Sequence, residues 1–202
     1  MTSYKEQLKS VLKKDKVLKK IVENTELVSL KEDDSDLYLS MVESILSQQL
    51  SSKAAATIIG RFKALFPENY PNAELIIGTD TEILRSAGLS GQKAGYLKSL
   101  ATFHLENGIS FEKLKNMSDE EIINYLLPIK GVGRWTVEMM LIFTLQRPDV
   151  FPVDDLVIRQ KMIKAYVLTE TGKELYKKLH EIASVWSPHR SLVSRFLWKC
   201  QL

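Results

Sequence analysis

The sequence predicts an all-α protein. Two observations carry this expectation. No run shows the sustained apolar–polar alternation of a strand, whereas apolar residues recur at three- and four-residue spacing along the chain. Ser or Asp stands just before several of those runs, where a helix needs a side chain for its first free amides. Connections are short, and the chain shows no internal repeat or low-complexity segment.

The elements follow in order. Residues 4–23 read as one or two helices, with Asp15 a candidate N-cap in the middle and Val17, Leu18, Ile21 and Val22 on the buried side. The polar stretch 31–36 reads as a loop, and Ser35 or Asp36 caps a helix over 37–46. SQQLSS, residues 47–52, interrupts it. Ser51 or Ser52 caps the next helix, 53–66, which ends before Pro67. Short helices over 74–77 and 81–87 lead to a turn at Gly88, Ser90 and Gly91. A helix over 92–106 is closed by Gly108, and 111–116 reads as a turn.

The next stretch organises the rest. Ser118 and Glu121 have capping-box spacing, and a helix runs on Ile122, Ile123, Leu126 and Leu127 until Pro128 stops it. Gly131, Val132 and Gly133 make a tight turn, with Val132 anchoring it in the core. A second helix starts at about Arg134. Val137, Met140, Leu141 and Thr144 form one face, and Trp135, Met139 and Ile142 another, so this helix has something to bury on two sides. Asp154 and Asp155 follow Pro152 and precede a helix over 156–168; helices over 173–185 and 191–199 complete the chain. Of two acids at a helix start, one is expected to cap and the other to be available for chemistry.

Composition narrows the function. The 202 residues suffice for a real core and one or two small domains. An apolar content of 45% argues against global disorder. The net charge of +3 suits an anionic partner without singling one out, and the lysines of 5–20 read as a solvated helix face. The single cysteine, Cys200, excludes an internal disulfide and points to a reducing compartment. No signal peptide is visible, and uncharged runs such as 139–146 are too short to span a membrane. The three histidines and Cys200 show no metal-ligand spacing.

A helix N-terminus preceded by glycines favours an anion, because its free amides and its dipole act together. No GK[ST] follows, so this is no nucleotide-binding loop. On those residues alone a glycine turn between packed helices explains as much. The continuation adds more: PIKGVGRWT, then twenty residues from Trp135 to the second acid of PVDD, then LVIRQ. This series resembles the helix-hairpin-helix/Gly-Pro-Asp superfamily of DNA glycosylases. The Trp after GVGR and the doubled Asp resemble its 3-methyladenine DNA glycosylase II branch. The resemblance covers nearly the whole chain.

The resemblance implies two helical subdomains, one of residues 36–148 with the helix-hairpin-helix at 119–146, the other of 1–35 plus 149–202, with the active site in the cleft between them. It implies the minimal form of the fold, without a further β domain. It implies a monofunctional DNA glycosylase of base excision repair acting on alkylated purines. The catalytic acid is then Asp155, with Asp154 the second choice, since it aligns better with distant lyase-type members. Trp135, Met139, Leu156, Trp186 and His189 are expected to line the base pocket, the last two in a segment, WSPHRS, similar to one near the family's C-terminus. Gln49 is the expected wedge in the gap left by a flipped base, with Gln48 beside it hydrogen-bonding the orphan base. Gly131, Val132, Gly133 and Arg134 are expected to bind DNA. Lys93, in GLSGQKAGY, fits a family motif but equally a solvated lysine.

Bifunctional members carry a Schiff-base lysine where this chain has Trp135, which argues for simple hydrolysis. The resemblance implies no cofactor and, with one cysteine, no iron–sulfur cluster. It allows a K⁺ or Na⁺ on the backbone carbonyls of Leu127, Ile129 and Val132. The expected partner is duplex DNA containing alkylated bases, bound by a monomer in the cytoplasm or nucleoid, or in the nucleus of a eukaryote. Two alternatives remain at this point: a bifunctional glycosylase/lyase for oxidised bases, and a non-catalytic helix-hairpin-helix module.

Overall fold

The computed structural model describes residues 4–28 and 36–201, and every regular element among them is helical. Ser35 and most of the predicted 31–36 loop lie outside the described residues. Three short helices come first: α1 (Tyr4–Gln7), α2 (Lys9–Lys14) and α3 (Lys16–Glu23). Asp15 separates the last two, accepting from the Leu18 amide at 2.9 Å. Asp36 caps α4 (Leu37–Ser47), and Ser51 caps α5 (Ser52–Lys63). The expected helix over 53–66 stops at Lys63, because Leu65 and Phe66 donate three residues back, to Phe62 and Lys63. That tightens the chain into a last narrow turn before Pro67.

Next come α6 (Ala73–Gly78), α7 (Thr81–Ser86), α8 (Gly91–Asn107), α9 (Phe111–Leu114), α10 (Asp119–Leu126) and α11 (Arg134–Phe143). The region 111–116, expected as a turn, contains one turn of helix capped by Ser110. The chain ends with α12 (Leu156–Tyr166), α13 (Gly172–Ser184) and α14 (Arg190–Lys199). None of the described helices is long and apolar enough to cross a membrane.

The chain divides into two compact units, residues 1–32 with 141–202, and residues 33–140. The second boundary falls inside α11, not after residue 148. The reason is local: the end of α11 already belongs with the C-terminal helices. Phe143 packs on Trp198 of α14 with ring centroids 5.4 Å apart, and the Arg147 amide turns back to the Leu141 carbonyl at 2.8 Å.

In the middle unit, α8 is the hub. It packs against α4, α6 and α7 and buries Ala94, Leu97, Leu100 and Ala101. The other unit is built around Trp186, Phe196, Leu197 and Met162, with Leu18, Ile21 and Val22 of α3 in the same core. Two polar ties hold it. The second oxygen of Asp15 accepts from the Tyr166 hydroxyl at 2.6 Å and the Trp186 indole at 2.9 Å. Asp149 accepts from the Arg190 guanidinium at 2.8 and 3.0 Å and from the Ser187 hydroxyl at 2.8 Å.

Candidate active site

The hairpin belongs to the middle unit. The capping box is present: the Glu121 amide donates to the Ser118 hydroxyl, and the Glu121 carboxylate accepts from the Ser118 amide at 2.7 Å. Val132 is buried, and its amide donates to the Ile129 carbonyl at 3.0 Å. The two glycines differ. Gly131 has φ of 86°, and a Cβ there would fall 2.2 Å from ring carbons of Tyr96. Packing and backbone therefore both demand glycine at 131. Gly133 has ordinary φ, and a Cβ there would meet nothing within 4 Å. Its carbonyl accepts from the Val137 amide, which makes it the N-cap of α11. Neither packing nor φ demands a bare residue at 133, and as an N-cap glycine is preferred there over apolar residues.

Arg134 departs from expectation. Its guanidinium pairs with Glu120, and its Nε lies 3.2 Å from Glu138. The bond from Arg134 is the chief reason the Glu120 carboxyl lies below its usual range. Two acids offset this cation locally, so the charge presented near the hairpin amides falls to exposed Lys130.

In SQQLSS, Gln48 is tied to the hairpin. Its amide nitrogen donates to the Gly131 carbonyl at 3.0 Å, because the loop lies beside the hairpin. Gln49 has φ of 59°. Lys93 is not a solvated lysine: its ammonium donates to the carbonyls of Leu46 and Gln48, both at 2.8 Å. On α11, Trp135 is 40% exposed and Met139 half-buried.

The paired acids belong to the other unit. Asp155 is buried and caps α12, accepting from the Ile158 amide at 2.9 Å. The same oxygen accepts from the Trp198 indole at 3.0 Å. A buried carboxylate needs such hydrogen bonds to offset the water it loses. Asp154 is exposed; it accepts from the Tyr176 hydroxyl at 2.9 Å, with Arg159 4.0 Å away. The expected division of labour, one acid capping and the other available, is therefore corrected: the cap is Asp155 itself. Neither Trp198 nor Tyr176 stood out in the sequence. They lie far along the chain, and the only signal was an aromatic ring with a polar atom on a late helix.

Leu156, beside the acid, is 59% exposed. Trp186 corrects another expectation. It is completely buried, bonded to Asp15 and packed edge-on against Phe151, so its indole has no face for a base. His189 is half-buried at the N-terminal end of α14, its amide donating to the Trp186 carbonyl at 2.8 Å. Among the described residues no group of three or more His, Cys, Asp or Glu could hold a metal ion.

A family model described as HhH-GPD superfamily base excision DNA repair protein matches residues 42–188. DNA-3-methyladenine glycosylase 1 of Schizosaccharomyces pombe is 40% identical over 164 residues, 80% of this chain and 71% of the relative. A solved structure of 3-methyladenine DNA glycosylase Mag1 of that yeast, in complex with abasic DNA, superposes with a TM-score of 0.77 at 37% identity. It covers 91% of this chain and 88% of that one. A DNA-3-methyladenine glycosidase from Bacillus halodurans superposes with a TM-score of 0.81 at 31% identity, covering 95% and 87%. By its hairpin, its paired acids and these matches, the chain belongs to the HhH-GPD superfamily of base excision DNA repair proteins, in its 3-methyladenine glycosylase branch.

Proposed function

We propose that the chain is a monofunctional DNA glycosylase that hydrolyses the N-glycosidic bond of alkylated purines, 3-methyladenine and 7-methylguanine in type. The observation that carries this reading is Asp155, a buried carboxylate held by a helix amide and an indole, in a chain of this family. Such a group stabilises the positive charge that develops on the sugar and orients or activates water toward C1′. The base reaches it only after the nucleotide leaves the stack. Trp135 is partly exposed, and a purine alkylated at N3 or N7 in DNA carries a positive charge. Stacking between them contributes roughly 0.5–2 kcal/mol. Position 135 holds no amine, so the reaction takes the hydrolytic course with no Schiff base.

The hairpin amides and Lys130 hold the phosphates of duplex DNA, bound by one copy of the chain. A K⁺ or Na⁺ suits the carbonyls of Leu127, Ile129 and Val132. Ile129 oxygen already accepts the Val132 amide, and a carbonyl keeps a second lone pair for such an ion. Its charge would strengthen the phosphate grip. The test is release of free base, identified by mass, from methylated duplex DNA. The expected products are 3-methyladenine, 7-methylguanine and an intact abasic strand. Borohydride added during turnover should trap no protein–DNA adduct. Efficient trapping, abolished by changing one lysine, would place the chain with the bifunctional enzymes; no base released would end the glycosylase reading.

A further inference from the structure

We propose that Lys93 is a positioning residue for base extrusion. It fixes the SQQLSS loop from α8, and through Gln48 it joins that loop to the hairpin. The element entering the duplex and the amides gripping the phosphates then act as one rigid piece. The proposal rests on the glycosylase reading.

The end of a helix leaves its last carbonyls without intrahelical partners and carries the negative end of the dipole. At the end of α4 the Lys93 ammonium meets that need, donating to the carbonyls of Leu46 and Gln48 at 2.8 Å each. The Gln48 carbonyl belongs to the peptide that leads into Gln49. Gln49 sits at φ 59°, a region that residues with a side chain seldom enter. Such a conformation persists only where the surroundings over-determine it. Lys93 holds the plane of the peptide just before it, and the Leu50 amide closes the turn on the Ser47 carbonyl at 3.1 Å.

The same side of α8 continues to the hairpin. Tyr96, three residues on, backs Gly131 so closely that a Cβ there would overlap its ring. Ser99, three residues further, accepts the Lys130 amide at 3.1 Å. The Gln48 side chain closes the circuit on the Gly131 carbonyl at 3.0 Å. An unconstrained lysine carries its charge out to water. Here burial pushes the Lys93 ammonium below its ordinary pKa, yet it stays on its two carbonyls. A wedge must resist the duplex closing again, and this network supplies the resistance.

The experiment compares one alkylated lesion in fully paired duplex and in an unpaired bubble, under single turnover. Lys93→Met should slow release from paired duplex by roughly ten- to hundredfold, the range expected for lost bonds to a charged group. Release from the bubble should change little. Lys93→Cys treated with 2-bromoethylamine restores an ammonium at nearly the same reach, and should restore the duplex rate. Cys200 is buried, which favours reaction at the new thiol. Equal losses on both substrates, or no rescue in an alkylated protein with native melting, would overturn the proposal. Gln48→Leu cuts only the tie to the hairpin and should show the same split in smaller measure; an unchanged split overturns the coupling. Flipping is read separately, from 2-aminopurine fluorescence in duplex. A full fluorescence rise in Lys93→Met, with wild type releasing base, sinks this proposal alone. Loss of the rise in Lys93→Met, with wild type releasing no base, upholds it and sinks the glycosylase activity.

Discussion

A carboxylate fixed by a helix amide and an indole on one oxygen has little freedom to turn. This makes Asp155→Asn a clean test. The amide oxygen still accepts from Ile158 and Trp198, so thermal melting should stay close to wild type. Base release should fall by about 10²–10⁴-fold, the usual loss for an acid–base group, and by less for cationic lesions, which are better leaving groups. Asp154→Asn keeps an acceptor for Tyr176 and should leave turnover near wild type. The opposite result, an active Asp155→Asn and a dead Asp154→Asn, would move the catalytic acid one residue earlier. Trp198→Phe keeps a ring against Phe143 but removes the donor to Asp155. Its single-turnover rate should fall by roughly tenfold, as expected for one bond to a charged group. An unchanged rate would show that the indole supports packing only. The position of Asp155 could be read from its spacing to Trp135. Its indole partner could not, because no local pattern joins residues 155 and 198.

Two glycines one residue apart in a turn have separable duties. Gly131 serves the fold, through positive φ and the Tyr96 ring; Gly133 has neither constraint. Gly131→Ala should therefore lower the melting temperature, since strain and overpacking each cost about 1 kcal/mol or more. Gly133→Val should lose only about 1 kcal/mol of stability, the cost of a poorer N-cap, yet bind DNA more weakly, by a similar factor for every sequence and lesion. Contacts to phosphate carry no sequence information, so base choice should not change. Unchanged affinity in the folded Gly133→Val protein would remove the hairpin from DNA binding. The hairpin, its capping box and most caps were legible because each depends on a few neighbouring residues. The short ends were less so. The early stop of α5 and the turn of helix at α9 are set by bonds three and four residues back, which propensity does not resolve. Nor did the sequence show that Arg134, beside the glycines, is balanced by Glu120 fourteen residues earlier.

At the scale of the whole chain, both ends contribute to one unit, and its cohesion rests on ties between residues remote in sequence. Trp186 was expected beside a base and is instead core, because Asp15, 171 residues away, takes its indole hydrogen. Resemblance in the WSPHRS segment located the segment but not the direction of that side chain. The same segment supplies the second tie, from Ser187 and Arg190 to Asp149. Burial pushes the Asp149 carboxyl up, but the bonds from Arg190 and Ser187 outweigh it and hold the group below 3.8. A carboxyl depressed in the folded state stabilises above its unfolded pKa, and that contribution is lost as pH falls through the folded one. Asp149→Asn should therefore lower stability at neutral pH by about 1–3 kcal/mol, the cost of weakened bonds to a charged group. The gap from wild type should narrow as pH falls below the ordinary carboxyl value, where the unfolded chain takes up its proton first, and further as pH falls through the lowered folded value. Denaturant unfolding of both proteins between pH 7 and pH 3 measures it. A gap of constant size would show that Asp149 acts through shape and neutral hydrogen bonds, with its charge contributing nothing to holding the WSPHRS segment against the loop before α12.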